Sequence, residues 1–131
     1  MNRRKAREGA FLILFQYSFQ PDELQHITDG YFKAFEADTQ EEYIRNVVFG
    51  TVAHLAEIDQ KITAFSKGWS VDRISVVSLA VMRLCIYEML YCADIPPAVS
   101  VNEAVSLARK YEGEEATAFV NGILGNIKEI C

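Results

Sequence analysis

The sequence predicts an all-α fold, a compact bundle of about seven helices in two helical subdomains. Three observations carry this expectation. Apolar residues recur at three- and four-residue spacing through nearly the whole chain, helix start and stop signals separate the apolar segments, and no hairpin dipeptide lies between alternating runs. The 131 residues, half of them hydrophobic and a quarter charged, fit one domain. A chain of this length hides roughly two-thirds of its unfolded surface.

The first helix is expected from Asn2 to Phe19, with Asn2 as cap and Pro21 as stop. Its centre, Gly9 to Phe15, is apolar on all sides, which predicts a helix wedged between others. Gly9 there costs about 1 kcal/mol relative to Ala and either permits a close helix approach or has no role. A second helix, Asp22 to Phe35, carries Leu24, Ile27, Tyr31 and Phe35 at helical spacing. Thr39-Gln40-Glu41-Glu42 reads as a capping box opening a third helix that runs to about Ile58. A shorter one from Gln60 to Lys67 precedes the turn Gly68-Trp69-Ser70, which divides the chain into halves 1–68 and 69–131. The fifth helix, Ser75 to Tyr91, is almost continuously apolar and is expected at the buried centre of the second half. Asp94-Ile95-Pro96-Pro97 breaks the chain. A second capping box, Ser100-Val101-Asn102-Glu103, is expected to start a helix ending near Tyr111, and Glu115 to Ile130 forms the last.

No apolar run is long enough for a membrane span, and the apolar stretch near the N-terminus lies on a helical pattern without a small-residue cleavage site. It reads as mature structure. Three cysteines, Cys85, Cys92 and Cys131, show no metal-like spacing and suggest reduced thiols and a cytoplasmic location. The net charge is −5, yet four of the thirteen basic residues fall in the first seven positions: Arg3, Arg4, Lys5 and Arg7. Such a chain can carry one local anion site while its acidic surface suits a basic protein partner.

Signals for catalysis are missing. His26 and His54 lie on separate helices outside any ligand motif, and Gly122 and Gly125 sit inside a helical pattern rather than a phosphate loop. The sequence therefore predicts neither enzyme nor cofactor. On a helix, Arg3 and Arg7 share a face and Arg4 can reach Glu8. Cations in a first turn oppose the helix dipole at about 0.3–1 kcal/mol each. A fold tolerates that more readily where an anion binds, although a solvated charged tip accounts for the same residues. Phe119 is either a stacking platform beside Asn121 or a core residue on a stripe with Ile123 and Ile127. Arg83 and Glu88 interrupt the fifth helix, as ion pairs to neighbouring helices or as partner contacts.

Several segments together resemble the NusB family of transcription antitermination factors. They are Arg3-Arg4-Lys5-Ala6-Arg7-Glu8, Arg83-Leu84 with Tyr87-Glu88, Asp94-Ile95-Pro96-Pro97, Val101 to Lys110, and Phe119-Val120-Asn121-Gly122-Ile123-Leu124. The resemblance implies an adaptor that binds boxA RNA with the ribosomal protein NusE. It also implies a role in loading antitermination complexes on RNA polymerase, particularly in ribosomal RNA transcription. Arg3, Arg4, Lys5 and Arg7 match the family's RNA-binding stretch, and Phe119, Asn121 and Glu115 match the segment closing that face. Glu115 there would repel phosphate. The fifth helix matches the NusE-facing region, with Arg83 and Glu88 in place. Ser78 stands where many relatives carry an acid, and Phe15 where they carry a tyrosine, so polar contacts at both positions are altered. Rival readings are a structural homodimer whose partner covers the basic tip, and an accessory domain of a ribosomal RNA enzyme.

Overall fold

The computed structural model describes residues 1–130, so Cys131 and any role for its thiol lie outside the described residues. It contains seven α-helices: α1 Arg3–Phe19, α2 Leu24–Ala34, α3 Glu41–Ala53, α4 Leu55–Phe65, α5 Val76–Tyr91, α6 Pro97–Tyr111 and α7 Glu114–Ile130. Two short 3-10 turns, Asp38–Gln40 and Val71–Arg73, lead into α3 and α5. There is no strand among the described residues.

Helix α5 is the axis of the molecule. Every residue from Ser78 to Glu88 except Arg83 is buried, and the helix packs against α1, α3, α4, α6 and α7. The expected central helix is there, and it reaches both halves of the chain. Its near-uniform apolarity follows from that position, since a helix surrounded by others has no solvent face. Ser75 caps it, accepting from the Ser78 N–H at 3.1 Å. Cys85 and Cys92 are buried thiols on and just beyond it, and burial pushes the Cys92 thiol up to about 11.

Helix α1 packs on α2, α3 and α5 through Ala6, Ala10, Phe11, Ile13 and Leu14. It is not wrapped on all sides: Leu12 is 39% exposed and Phe15 half-buried. At Gly9 the Tyr31 side chain of α2 lies directly against α1. A Cβ there would lie 2.6 Å from Cζ of Tyr31 and would collide with its hydroxyl, so close approach is the reason for glycine. Gly113, at φ +116°, supplies the left-handed turn between α6 and α7 that a side chain would strain.

Three expected helix starts and stops are corrected. The third helix ends at Ala53, not Ile58, and α4 already begins at Leu55. His54 leaves helical geometry at φ −111°, ψ 22°, with its N–H shared between the carbonyls of Gly50 and Thr51. No glycine or proline marks the break, and Thr51 and Ile58 are buried on either side of it, so the apolar rhythm runs through unchanged. The Thr39 capping box does not form. The chain enters α3 through a 3-10 turn in which Gln40 N–H bonds to Ala37 O at 2.8 Å. The Ser100 box also does not form, because α6 begins three residues earlier at Pro97, a residue pre-set for the first helical position. Ser100 is thereby freed for a different bond.

Candidate nucleic-acid interface

The N-terminal tip of α1 is built on one cap. Asn2 Oδ1 accepts from the Lys5 N–H at 2.8 Å, and no acidic residue sits in the first turn to offset the dipole. Three cations therefore project from the positive end of the helix. Arg4 is open, its side chain 72% exposed and 3.6 Å from Glu103. The expected Arg4–Glu8 pair is not made. Glu8 instead takes Lys5 at 3.3 Å and, from the last turn of α6, Lys110 at 2.5 Å, while the Tyr111 hydroxyl donates to it at 2.6 Å. Arg3 lies over the Tyr43 ring, 4.1 Å from its centroid, with Nε donating to Gln40 Oε1 at 2.7 Å.

Arg4 and Lys5, but not Arg3, open onto a cleft of about 340 Å³ between α1 and α6, lined by Asn2, Arg4, Lys5, Arg7, Glu8, Glu103, Ser106, Leu107 and Lys110. Lys110 is the residue that sequence reasoning did not include. It stands at the negative end of α6, where a cation is favoured, and it is 102 positions from Glu8. The hydrogen bonds from Lys110 and Tyr111, with Lys5 adding, hold the Glu8 carboxyl down at about 2, so it stays charged across the physiological range. The same contacts, after burial, push the Tyr111 hydroxyl up to about 12.

Arg7 is the main correction to the expected site. It is 5% exposed and directed into the protein, where its Nε and Nη2 donate to the two oxygens of Glu88 at 3.0 and 3.3 Å. The carboxylate of Glu103 lies 3.5 Å from Nη1. Burial opposes the charge on Arg7, but Glu88 more than compensates and its pKa is raised. Glu88 itself is fully buried and accepts two further bonds, from Ser100 Oγ at 2.7 Å and from the Tyr43 hydroxyl. Burial and the neighbouring carboxylate raise the Tyr43 pKa, so that hydroxyl remains a donor. One buried carboxylate thus ties α1, α3, α5 and α6 together, and Arg7, expected with Arg3 on an anion-binding face, is the least available arginine of the cluster.

The other expected residues lie elsewhere. Phe119 is half-buried and Glu115 exposed, and both line a second groove of about 770 Å³ whose wall includes Trp69, Arg73 and Ile123. No residue lines both depressions. Asn121 is exposed but does not line that groove. Ser78, expected to face a partner, is 2% exposed with its hydroxyl donating to Glu112 at 3.2 Å. Arg83 forms a two-pronged pair with Asp59 of α4 at 2.9 and 2.8 Å, which is the ion-pair alternative. Phe15 stacks edge-on to Phe19 at 5.2 Å and lies 6.2 Å from Phe11, whose ring meets Tyr111 at 5.0 Å. Among the described residues no group of His, Cys, Asp and Glu could hold a metal ion, and no helix is long and apolar enough to cross a membrane.

Comparison with known proteins gives this arrangement its context. Residues 4–129 match the NusB family. The transcription antitermination protein NusB of Thermoanaerobacter sp. (strain X514) is 42% identical over 125 residues, covering 95% of this chain and 89% of that protein. The structure of NusB from T. maritima superposes with a TM-score of 0.91 at 36% identity, covering 98% of this chain and 92% of the other. A crystal structure of the antitermination factors NusB and NusE in complex with dsRNA superposes with a TM-score of 0.90 at 28% identity, covering 98% and 97%. The chain belongs to the NusB family of transcription antitermination factors and is not an enzyme.

Proposed function

We propose that this protein binds boxA RNA together with the ribosomal protein NusE. In that role it helps assemble antitermination complexes on RNA polymerase in the cytoplasm, notably during ribosomal RNA transcription. The observation that carries the reading is the row of exposed cations Arg3, Arg4 and Lys5 at the tip of α1, with Lys110 sharing the cleft of Arg4 and Lys5, on a chain whose net charge is −5. Exposed cations at the positive end of a helix are poorly placed for stability and well placed for phosphate. The similarity to a protein solved with NusE and dsRNA supports RNA and NusE as the ligand pair.

Within this reading, Arg3, Arg4, Lys5 and Lys110 hold the RNA backbone, and Arg7 supports them from below. Phe119, with Asn121 and Glu115 on the same helix, forms a second contact patch in which the ring stacks on a base and the carboxylate tempers affinity. With most of the fifth helix buried, the NusE-facing surface is carried instead by α1, where Phe15 joins the exposed Leu12 and Phe19, and by Tyr111 of α6 against Phe11. Ser78 and Arg83, which the resemblance places on that side, act through their pairing with Glu112 and Asp59 rather than by direct contact. The test is binding of a boxA oligonucleotide and a scrambled one, with and without NusE, across a salt series. Preference for boxA that strengthens with NusE supports the reading, and equal affinity for both RNAs in the presence of NusE refutes it.

A further inference from the structure

We infer that Tyr43 and Glu88 are positioning residues for Arg3: the buried carboxylate fixes the Tyr43 ring, and the ring together with Gln40 holds the Arg3 guanidinium ready for phosphate. This rests on the proposed RNA-binding role of the tip. An arginine at a surface normally samples many rotamers and loses that freedom when it grips a ligand. Here two contacts already restrict that freedom. The guanidinium lies 4.1 Å from the Tyr43 centroid, and its Nε is committed to Gln40 at 2.7 Å. A stacked guanidinium keeps its charge and offers its Nη edge, the geometry suited to a two-pronged phosphate contact.

The platform beneath it cannot swing away. Tyr43 is 8% exposed, and its hydroxyl donates to Glu88, which is fully buried and also held by Arg7 and Ser100. Arg4 and Lys5, exposed like Arg3, differ in being held by ion pairs of 3.6 and 3.3 Å. They supply charge, whereas Arg3 supplies charge at a fixed place.

The test measures binding of the boxA oligonucleotide across a salt series to the full chain and to Arg3→Gln, Tyr43→Leu and their combination. Loss of one pre-ordered side chain predicts affinity about three- to tenfold weaker for Tyr43→Leu. Its salt slope should fall toward that of Arg3→Gln, and the Tyr43→Leu effect should vanish in the Arg3→Gln background. A role confined to folding would leave the two losses additive, which overturns the inference. Should Tyr43→Leu lose the helical circular dichroism of the parent, Tyr43→Phe and Gln40→Ala carry the same cycle. The first keeps the ring but releases it from Glu88, and the second removes the Nε acceptor. Arg4→Gln separates the two levels of the argument. If Arg3→Gln and Arg4→Gln both bind like the parent, the tip reading fails and the inference with it. If both weaken binding while the Tyr43 and Gln40 variants do not, the positioning role alone is refuted.

Discussion

Replacing Arg7 distinguishes the buried-pair account from a phosphate contact more sharply than any other single change. Arg7→Met keeps most of the side-chain volume but removes every donor, leaving Glu88, fully buried, with only the Ser100 and Tyr43 hydroxyls. Removing one member of a buried pair costs about 3–5 kcal/mol, because the surviving charge is stranded. That is a large part of the roughly 5–15 kcal/mol that holds a domain together. For 131 residues, an unfolding entropy of about 2.1 cal/mol/K per residue gives about 275 cal/mol/K in total. The expected fall in Tm is therefore about 11–18 °C. Thermal melts followed by far-UV circular dichroism measure it. Glu88→Gln added to Arg7→Met removes the stranded charge, keeps an acceptor for the two hydroxyls, and should recover a good part of the loss. A variant Arg7→Met that melts within about 2 °C of the parent, while the magnitude of its RNA-binding salt slope drops by about 0.7, would refute the reasoning.

Other expectations follow from the same contacts. Gly9→Ala should destabilise by about 1–3 kcal/mol in urea titration, since the added methyl must displace the Tyr31 ring, despite a helix-propensity gain of about 1 kcal/mol; a more stable variant would show that the ring moves aside there at little cost. Glu8 has a folded pKa of about 2 against an ordinary 4.5, so its stabilisation is present above 4.5 and lost as pH falls from there toward 2. Stability of Glu8→Gln should consequently fall less steeply with acid over that window than that of the parent, and parallel curves would contradict the assignment. Lys110→Gln should weaken boxA binding and lower the magnitude of the salt slope by about 0.7, as expected for one phosphate contact on a single strand.

Much of this was legible in the sequence, and the failures have physical causes. Helix identity followed from spacing, and Asn2, Ser75 and Pro21 marked real ends because capping and ring geometry act locally. The break at His54 was not legible, since neither neighbour carries a stop signal. The Ser100 box was misleading because a capping pattern and a buried hydroxyl donor use the same residue type. Arg7 is the instructive case. Ala10, Phe11 and Leu14 follow it at three, four and seven residues and are all buried, as Val81, Leu84 and Cys85 are at the same spacings before Glu88. Each charge therefore sits on an apolar stripe, and the two stripes face one another. Reading the charges against the stripes, rather than as a run, would have paired them. Lys110 could not have been found this way, since only the packing of α6 beside α1 brings it to the tip.

The central claim is that Arg3 and Arg4 meet RNA while Arg7 holds the fold beneath them. Proton–nitrogen correlation spectra of the arginine Nε–H groups, recorded as boxA RNA is added, test it most directly. The account predicts that the Arg3 and Arg4 signals shift with the RNA while the Arg7 signal, fixed on Glu88, stays in place and exchanges slowly with solvent. A large shift at Arg7 with none at Arg3 and Arg4 would contradict it.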